Sequence, residues 1–315
     1  MNIAFLDANT LGNVDLSIFN KFGNLSIFQA TLPGQRIDRI TGNEIIIVNK
    51  SVIDKSIIDR CSDLKLVCVA ATGMNNIDLD YAKGKGIIVK NVAGYSTQSV
   101  VQVTFASILS LLNHIAYFDH FVKSGEYVNS PIFSHYGREF WQLAGKNFGI
   151  IGLGNIGKQV GRVAEAFECN VSYYSTSGKN TYASFRRVSL DEILMESDIL
   201  SIHAPLNDTT RGLINYSRLC MMKPSSIIAN MGRGGIIIEE DLALALDEDR
   251  IGAAAIDVFV KEPMVANHPY LKLKNPEKIL LTPHIAWASK EARNLLVLKI
   301  AENIKEYLKS KTSNH

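Results

Sequence analysis

Short runs rich in isoleucine and valine recur along the chain, each followed by a loop and a segment of helical periodicity. Runs of this kind, apolar without alternation, suit strands covered on both faces, as in a parallel sheet. "NIAFLD" (2–7), "EIIIVN" (44–49), "LKLVCVA" (64–70) and "GIIVKNV" (86–92) form a first set, with a helix expected over Asp54–Arg60. "NFGIIGLG" (147–154), "NVSYYS" (170–175), "DILSIHAP" (198–205), "SSIIANM" (225–231), "GAAAIDVF" (252–259) and "KILLTPHI" (278–285) form a second. The rhythm predicts an α/β protein of two Rossmann-like doubly wound parallel-sheet domains with a cleft between them. A helix over 98–118, apolar nearly all round, separates the two sets, and "NSPIFSHYGREFWQ" (129–142) reads as an irregular connector. Ser189 and Glu192 have the spacing of a capping box at the start of another helix. At the end of the chain, Val297, Ile300, Ala301, Ile304 and Leu308 share one face of a helix over 289–310. That helix needs a surface, and the first domain offers one. The expected division is 1–98 plus 287–315 for a discontinuous substrate (catalytic) domain and 99–286 for a dinucleotide-binding domain.

The charge balance, 33 basic against 31 acidic residues in 315, gives no footprint for nucleic acid or a membrane surface. The start has no signal-like core, and the apolar stretch Val100–Leu112 falls short of the roughly 20 residues of a membrane span. Cys61, Cys68, Cys169 and Cys220 form no C-x-x-C pair and are expected to be buried, reduced thiols of a cytoplasmic protein. No histidine pair has metal-ligand spacing, so no metal is expected. His114, His120, His135 and His268 lack a supporting context.

The first strand of the second set runs into Gly152-Leu153-Gly154-Asn155-Ile156-Gly157 and then an amphipathic helix. In that context Gly152 permits the tight turn, Gly154 a close backbone approach to a pyrophosphate, and Gly157 close helix–strand packing. The helix N-terminus, from Asn155 and Ile156, then offers free N–H groups to phosphate. The next strand ends in "YYSTSGKN", where an acidic residue usually receives the adenosine ribose. Ser175, Thr176, Ser177 and Lys179 stand there instead, with Arg186 and Arg187 further on, and no Asp or Glu occurs between Cys169 and Leu190. Hydroxyls and a cation accommodate a 2′-phosphate, and hydroxyls also bind a plain ribose, so NAD and NADP both stay open.

Three ionisable residues follow strand ends: Arg233 among glycines, Glu262 after "AIDVFV", and His284 in "LTPHIAW". Ligands of open α/β sheets bind beyond the carboxyl ends of the strands, where these residues should gather. "VCVAATGMNNIDLD" (67–80), "NVAGYSTQSVVQ" (91–102), "GIIGLGNIG" (149–157), "HAPLNDTTRGLI" (203–214), "MKPSSIIANMGRGGIIIEEDL" (222–242), "AIDVFVKEP" (255–263) and "LTPHIAW" (281–287) together resemble the D-isomer-specific 2-hydroxyacid dehydrogenases, most closely the glycerate dehydrogenase (hydroxypyruvate reductase) branch. The resemblance implies His284 as acid/base, Glu262 as its carboxylate partner and Arg233 as the substrate-orienting cation. It implies a cofactor site lined by His203, Pro205, Thr210, Met231, Gly232 and Asp257 as well. The backbone of Ala71, Thr72, Gly73 and Met74, with Trp287, is expected to line the substrate pocket.

The chemistry agrees with those roles. Reducing a 2-keto acid needs a hydride on carbon and a proton on oxygen, and histidine delivers protons near neutral pH. A carboxylate behind it fixes the tautomer and favours the imidazolium, and an arginine fork suits a planar carboxylate. The expected reaction takes hydroxypyruvate or glyoxylate to D-glycerate or glycolate. The alternatives are another 2-hydroxy acid (lactate-like, branched or 3-phosphoglycerate) and an NAD(H)-sensing corepressor-like binding protein. The family's habit implies a homodimer, with the helix starting near Gln98 close to its interface. Two departures from the family pattern stand out: Glu168-Cys169 replaces a Gly and an apolar residue, and Met231-Gly232 replaces a small polar and apolar pair.

Overall fold

The computed structural model describes residues 1–312. It divides into two compact units, one formed by Met1–Ser96 and the chain from Ala288 onward, the other by Thr97–Trp287. Residues 313–315, included in the expected first domain, lie outside the described residues.

The first unit holds a parallel sheet of five strands: β1 (Asn2–Phe5), β2 (Asn24–Ile27), β3 (Ile45–Val48), β4 (Leu66–Val69) and β5 (Ile88–Lys90), in the order β2-β1-β3-β4-β5. β3 and β4 are buried along their whole length, which explains their unbroken apolar sequence. β2 was not expected, because its residues are mostly exposed and carry no apolar run. The expected helix after Asp54 is short, Lys55–Ile58, and the Asp54 carboxylate caps it by accepting from Ile57 N. The C-terminal helix Lys290–Thr312 belongs to this unit and buries Val297, Ile300, Ala301, Ile304 and Tyr307. Asn303 donates to Asn91 O, and Arg293 donates to Leu11 O.

The second unit holds a parallel sheet of seven strands: β6 (Asn147–Ile151), β7 (Asn170–Tyr174), β8 (Arg186–Arg187), β9 (Ile199–Ile202), β10 (Ile227–Asn230), β11 (Ala253–Ile256) and β12 (Ile279–Leu281). Their order is β12-β11-β10-β9-β6-β7-β8. The two-residue edge strand β8 adds one to the expected six. β6 pairs with β7 on one side and β9 on the other, so the strand order reverses there. That reversal is the switch point at which such sheets open a crevice at their carboxyl ends.

The expected 98–118 helix is two helices, Thr97–Leu112 and Ile115–Lys123, broken at His114 with φ 49°. The first is apolar on several sides because Val100, Val101, Phe105, Ile108 and Leu112 join the core formed with Phe148, Ile150, Ala229 and Ala255. No single helix among the described residues is long and apolar enough to cross a membrane. The Ser189–Glu192 capping box opens the helix Leu190–Glu196. Cys61, Cys68 and Cys169 are buried, whereas Cys220 is exposed, contrary to expectation: it follows the short helix Tyr216–Leu219 on the surface.

Candidate active site

The glycine turn follows β6 directly. Gly152 has φ 93°, and a Cβ there would lie 2.7 Å from Ala204 N, so the turn lies against the chain leaving β9. A Cβ on Gly157 would lie 2.3 Å from Gly152 O, which fixes that position as glycine by close helix–strand contact. Gly154 is exposed with open space around it, and the 12-residue helix Asn155–Ala166, beginning with Asn155 and Ile156, starts there. The backbone therefore comes free at the helix N-terminus, as a phosphate requires. At the tip of β7, Ser175 is 4% exposed and its hydroxyl has no partner among the described residues. A buried orphan hydroxyl normally has a ligand or water to bond, so the residues present fit a dinucleotide.

Beyond Ser175 the chain is polar and open. Thr176 is half-buried, while Ser177 and Lys179 are exposed, with Lys179 N donating to Ser177 Oγ. Arg187 reaches this loop, donating to Gly178 O at 3.0 Å, whereas Arg186 pairs with Glu192 and Glu196. At the end of β9, burial pushes the His203 imidazole down to about 3, so it is neutral. Its Nε2 meets Ser201 Oγ at 2.8 Å, and its Nδ1 is buried without a hydrogen-bond partner among the described residues. Pro205 and Thr210 close the turn that follows. Thr210 is fully buried and its hydroxyl proton goes to Pro205 O at 2.7 Å, so it braces the turn and has no proton to offer a ligand. Met231 is buried after β10, and Gly232 N bonds Asn230 Oδ1.

The ionisable residues sit beyond β10, β11 and β12. Asp257, 1% exposed, follows β11 and accepts from the Thr282 hydroxyl at 2.6 Å and from the N–H groups of Ile285 and Ala286 at 2.9 and 3.0 Å. Burial raises its carboxyl above the ordinary value, opposed by those three donors. It thereby staples the segment after β12 to the end of β11, and His284 N adds a bond to Asp257 O at 2.8 Å. His284 itself has φ 55°. Its Nδ1 lies 2.7 Å from Glu262 Oε2, and Phe259 N donates to the other carboxylate oxygen at 3.1 Å. His284 and Glu262 side chains remain about a quarter exposed, at 25% and 28%. Arg233 is half-buried beside Gly232, to whose carbonyl it donates at 2.8 Å, and Asn230 Nδ2 holds its own carbonyl. Gly234 is seated on the 259–260 turn, where a Cβ would lie 2.0 Å from Phe259 O. His284 and Glu262 are thus in direct contact, and the Arg233 loop abuts the turn that carries Glu262.

Elsewhere, Trp287 packs partly against the core of the second unit. In the first unit Ala71, Thr72, Gly73 and Met74 form the turn after β4. Thr72 donates to Val92 O, Asn91 Nδ2 donates to Thr72 O, and Ala71 and Met74 lean on the core. Among the described residues, no group of His, Cys, Asp or Glu is arranged to hold a metal ion. Two histidines without a sequence context have partners after all. His135 stacks on Phe121 at 3.7 Å and meets Tyr117 Oη at 2.8 Å, and His268 faces Glu239 at 3.0 Å. Neither partner could be found from spacing, since Glu239 is 29 positions from His268.

Known proteins resemble the chain in sequence and in fold. Residues 105–286 match the model of the D-isomer specific 2-hydroxyacid dehydrogenase, NAD binding domain. A hydroxypyruvate reductase from Blautia hydrogenotrophica is 34% identical over 100% of this chain and 99% of its own length. A glyoxylate reductase from Aeropyrum pernix is 38% identical over 82% of this chain and 78% of its own. Among solved structures, an acyclic imino acid reductase in complex with NADPH and D-Arg superposes with a TM-score of 0.88 at 29% identity, covering 99% of this chain and 98% of that one. By its match to the family model and its full-length relative, the chain belongs to the D-isomer-specific 2-hydroxyacid dehydrogenase family.

Proposed function

We propose that the protein reduces a short 2-keto acid, hydroxypyruvate or glyoxylate, to D-glycerate or glycolate with NADH or NADPH. The observation that carries the reading is the 2.7 Å contact between His284 Nδ1 and Glu262, on a segment stapled by Asp257. The names of the relatives support the substrate class. Gly152, Gly154, Gly157, the following helix N-terminus and Ser175 would hold the dinucleotide, whose nicotinamide supplies the hydride when bound.

The protein's own part is binding and proton transfer. Because Nδ1 faces Glu262, Nε2 is the ring nitrogen left to give its proton to the substrate oxygen, and to take it back in the oxidative direction. Glu262 fixes the ring and its tautomer through the Nδ1 contact. Arg233 binds the substrate carboxylate through its fork. Asp257 acts by holding the His284 segment, and would be the acceptor available to the nicotinamide carboxamide of a bound cofactor. Turnover of hydroxypyruvate, glyoxylate and pyruvate, each with NADH and NADPH, tests the reading. Turnover of the first two is expected; none with any 2-keto acid would sink it.

For the cofactor, Ser175, Ser177, Lys179 and Arg187 favour a site that accepts the 2′-phosphate, and NADPH should support turnover. If NADPH binds at least 100-fold more weakly than NADH (about 2.7 kcal/mol), this loop is only a permissive surface. The three buried thiols favour a reducing compartment, in keeping with a cytoplasmic enzyme. We also propose a homodimer formed through the second unit. Val128, Phe133 and Tyr136 are 84%, 89% and 77% exposed within one short stretch, apolar side chains that a partner subunit would cover.

A further inference from the structure

A second histidine–carboxylate contact lies one turn behind the first. His268 is 3% exposed, and its Nε2 stands 3.0 Å from Glu239 Oε2. Tyr270 N–H donates to His268 Nδ1, so that nitrogen carries no proton and Nε2–H faces the carboxylate. The approach is off the line of a good hydrogen bond, so the contact is mainly electrostatic. Phe259 and Tyr270 flank the imidazole, with ring centroids at 5.8 and 4.7 Å, and fix its plane. Glu239 opens the helix Glu239–Asp247, where the helix dipole favours its charge, and its side chain is only 12% exposed.

The other oxygen of Glu239 reaches toward the active site. Oε1 accepts from Val260 N at 2.9 Å. The preceding N–H, that of Phe259, holds Glu262 Oε1, and Glu262 Oε2 holds His284. The same 259–260 turn seats Gly234, next to Arg233. One buried carboxylate therefore grips the turn on which both the acid–base pair and the arginine loop depend. A side chain kept only for packing would be apolar, since burying a carboxylate costs more than it returns unless its oxygens are engaged.

We propose that Glu239 and His268 are positioning residues for the reaction, holding the 259–260 turn so that Glu262 stays against His284 and the glycine loop keeps Arg233 in place. The proposal rests on the acid–base reading of Glu262 and His284 given above. The carboxylates around this network are Glu239 and Glu240 beside Tyr270, and Glu262 and Asp257 beside His284.

The test uses the full-length protein labelled with 15N at histidine, as wild type, Glu262→Gln, Glu239→Gln and His268→Gln. A glutamine at 239 offers one oxygen, enough for Val260 N–H or His268 but not both. The wild type should show a low-field proton on His284 Nδ1, identified by its loss in Glu262→Gln. In Glu239→Gln and His268→Gln that signal should broaden away or move upfield. The reduction rate should fall by about ten- to a hundredfold, as small misplacements of catalytic groups do. Dinucleotide affinity should stay within about twofold, because the glycine turn is untouched. An unchanged resonance in either folded variant would overturn the proposal, whatever happens to activity or melting temperature. Unfolding of both variants would also overturn it, assigning the pair to stability alone. A wild type with no turnover would instead sink the functional reading, and the resonance would still report on positioning.

Discussion

His284 adopts φ 55°, a backbone conformation rare for a residue with a side chain, and two bonds from its N–H to Asp257 O and Thr282 O keep it there. Strain of this kind persists only where its surroundings over-determine it, and here it aims the ring at Glu262. Replacing Glu262 by Gln keeps the shape but removes the charge that faces His284 Nδ1. The reductive kcat should fall by about 10²–10⁴-fold, the range ascribed to acid–base catalysis, with KM for the dinucleotide little changed. Steady-state kinetics in both directions would check this. Ser175 permits a second prediction. A carboxylate at that buried tip of β7 would accept ribose hydroxyls and repel a 2′-phosphate, so Ser175→Asp should raise the kcat/KM ratio of NADH over NADPH by about tenfold or more (~1.4 kcal/mol). An unchanged ratio would show that the loop does not choose between cofactors. At this scale the catalytic candidates were legible because each follows an apolar run in a recognisable motif. His268 was not, because its partner Glu239 is brought near only by the packing of the 259–260 turn.

The elements were legible wherever burial is two-sided. β3, β4, β9 and β10 are buried throughout, and their Ile- and Val-rich runs announce it. β2 and β8 are exposed edge strands with no such signature, and they went unseen. The break between the helices Thr97–Leu112 and Ile115–Lys123 falls at His114, without proline or glycine to mark it. Glu168, one of the two departures from the family pattern, also has a physical consequence. It stands at φ 61° at the turn between the helix Asn155–Ala166 and β7, with its carbonyl accepting from Gly145 N. An L-residue in that region costs roughly 1–2 kcal/mol, and a glycine there loses about 0.5–1 kcal/mol through unfolded-state entropy. Glu168→Gly should therefore stabilise the protein by about 0.5–1 kcal/mol in urea unfolding, and a loss of stability would contradict this.

At the scale of the whole molecule, the chain returns to its first unit through the C-terminal helix, which is tied down by polar as well as apolar contacts. Tyr307 and Lys311 both bond Glu44 at the start of β3. Burial raises the Glu44 carboxyl, but the bonds from Lys311 and Tyr307 outweigh it, and the net shift is below the ordinary 4.5. A carboxylate depressed on folding contributes stability above its unfolded value and loses it as pH falls through the folded one. Acid should therefore weaken this anchor below about pH 4.5. Tyr307→Phe, which removes one of the bonds, should raise the pH of acid unfolding followed by circular dichroism. The proposed homodimer has its own check: Phe133→Ser with Tyr136→Ser should shift the protein toward monomer in sedimentation equilibrium. A second unit that stays monomeric at all concentrations in the wild type would remove that part of the account.

Everything in the functional reading depends on the proton that His284 gives. Reduction of hydroxypyruvate by wild type and His284→Ala, at saturating NADH and with NADH affinity measured by fluorescence, tests it most directly. In the variant, kcat should fall by at least about 100-fold while NADH affinity stays within about twofold. A His284→Ala enzyme that turns over within a few-fold of wild type would contradict it.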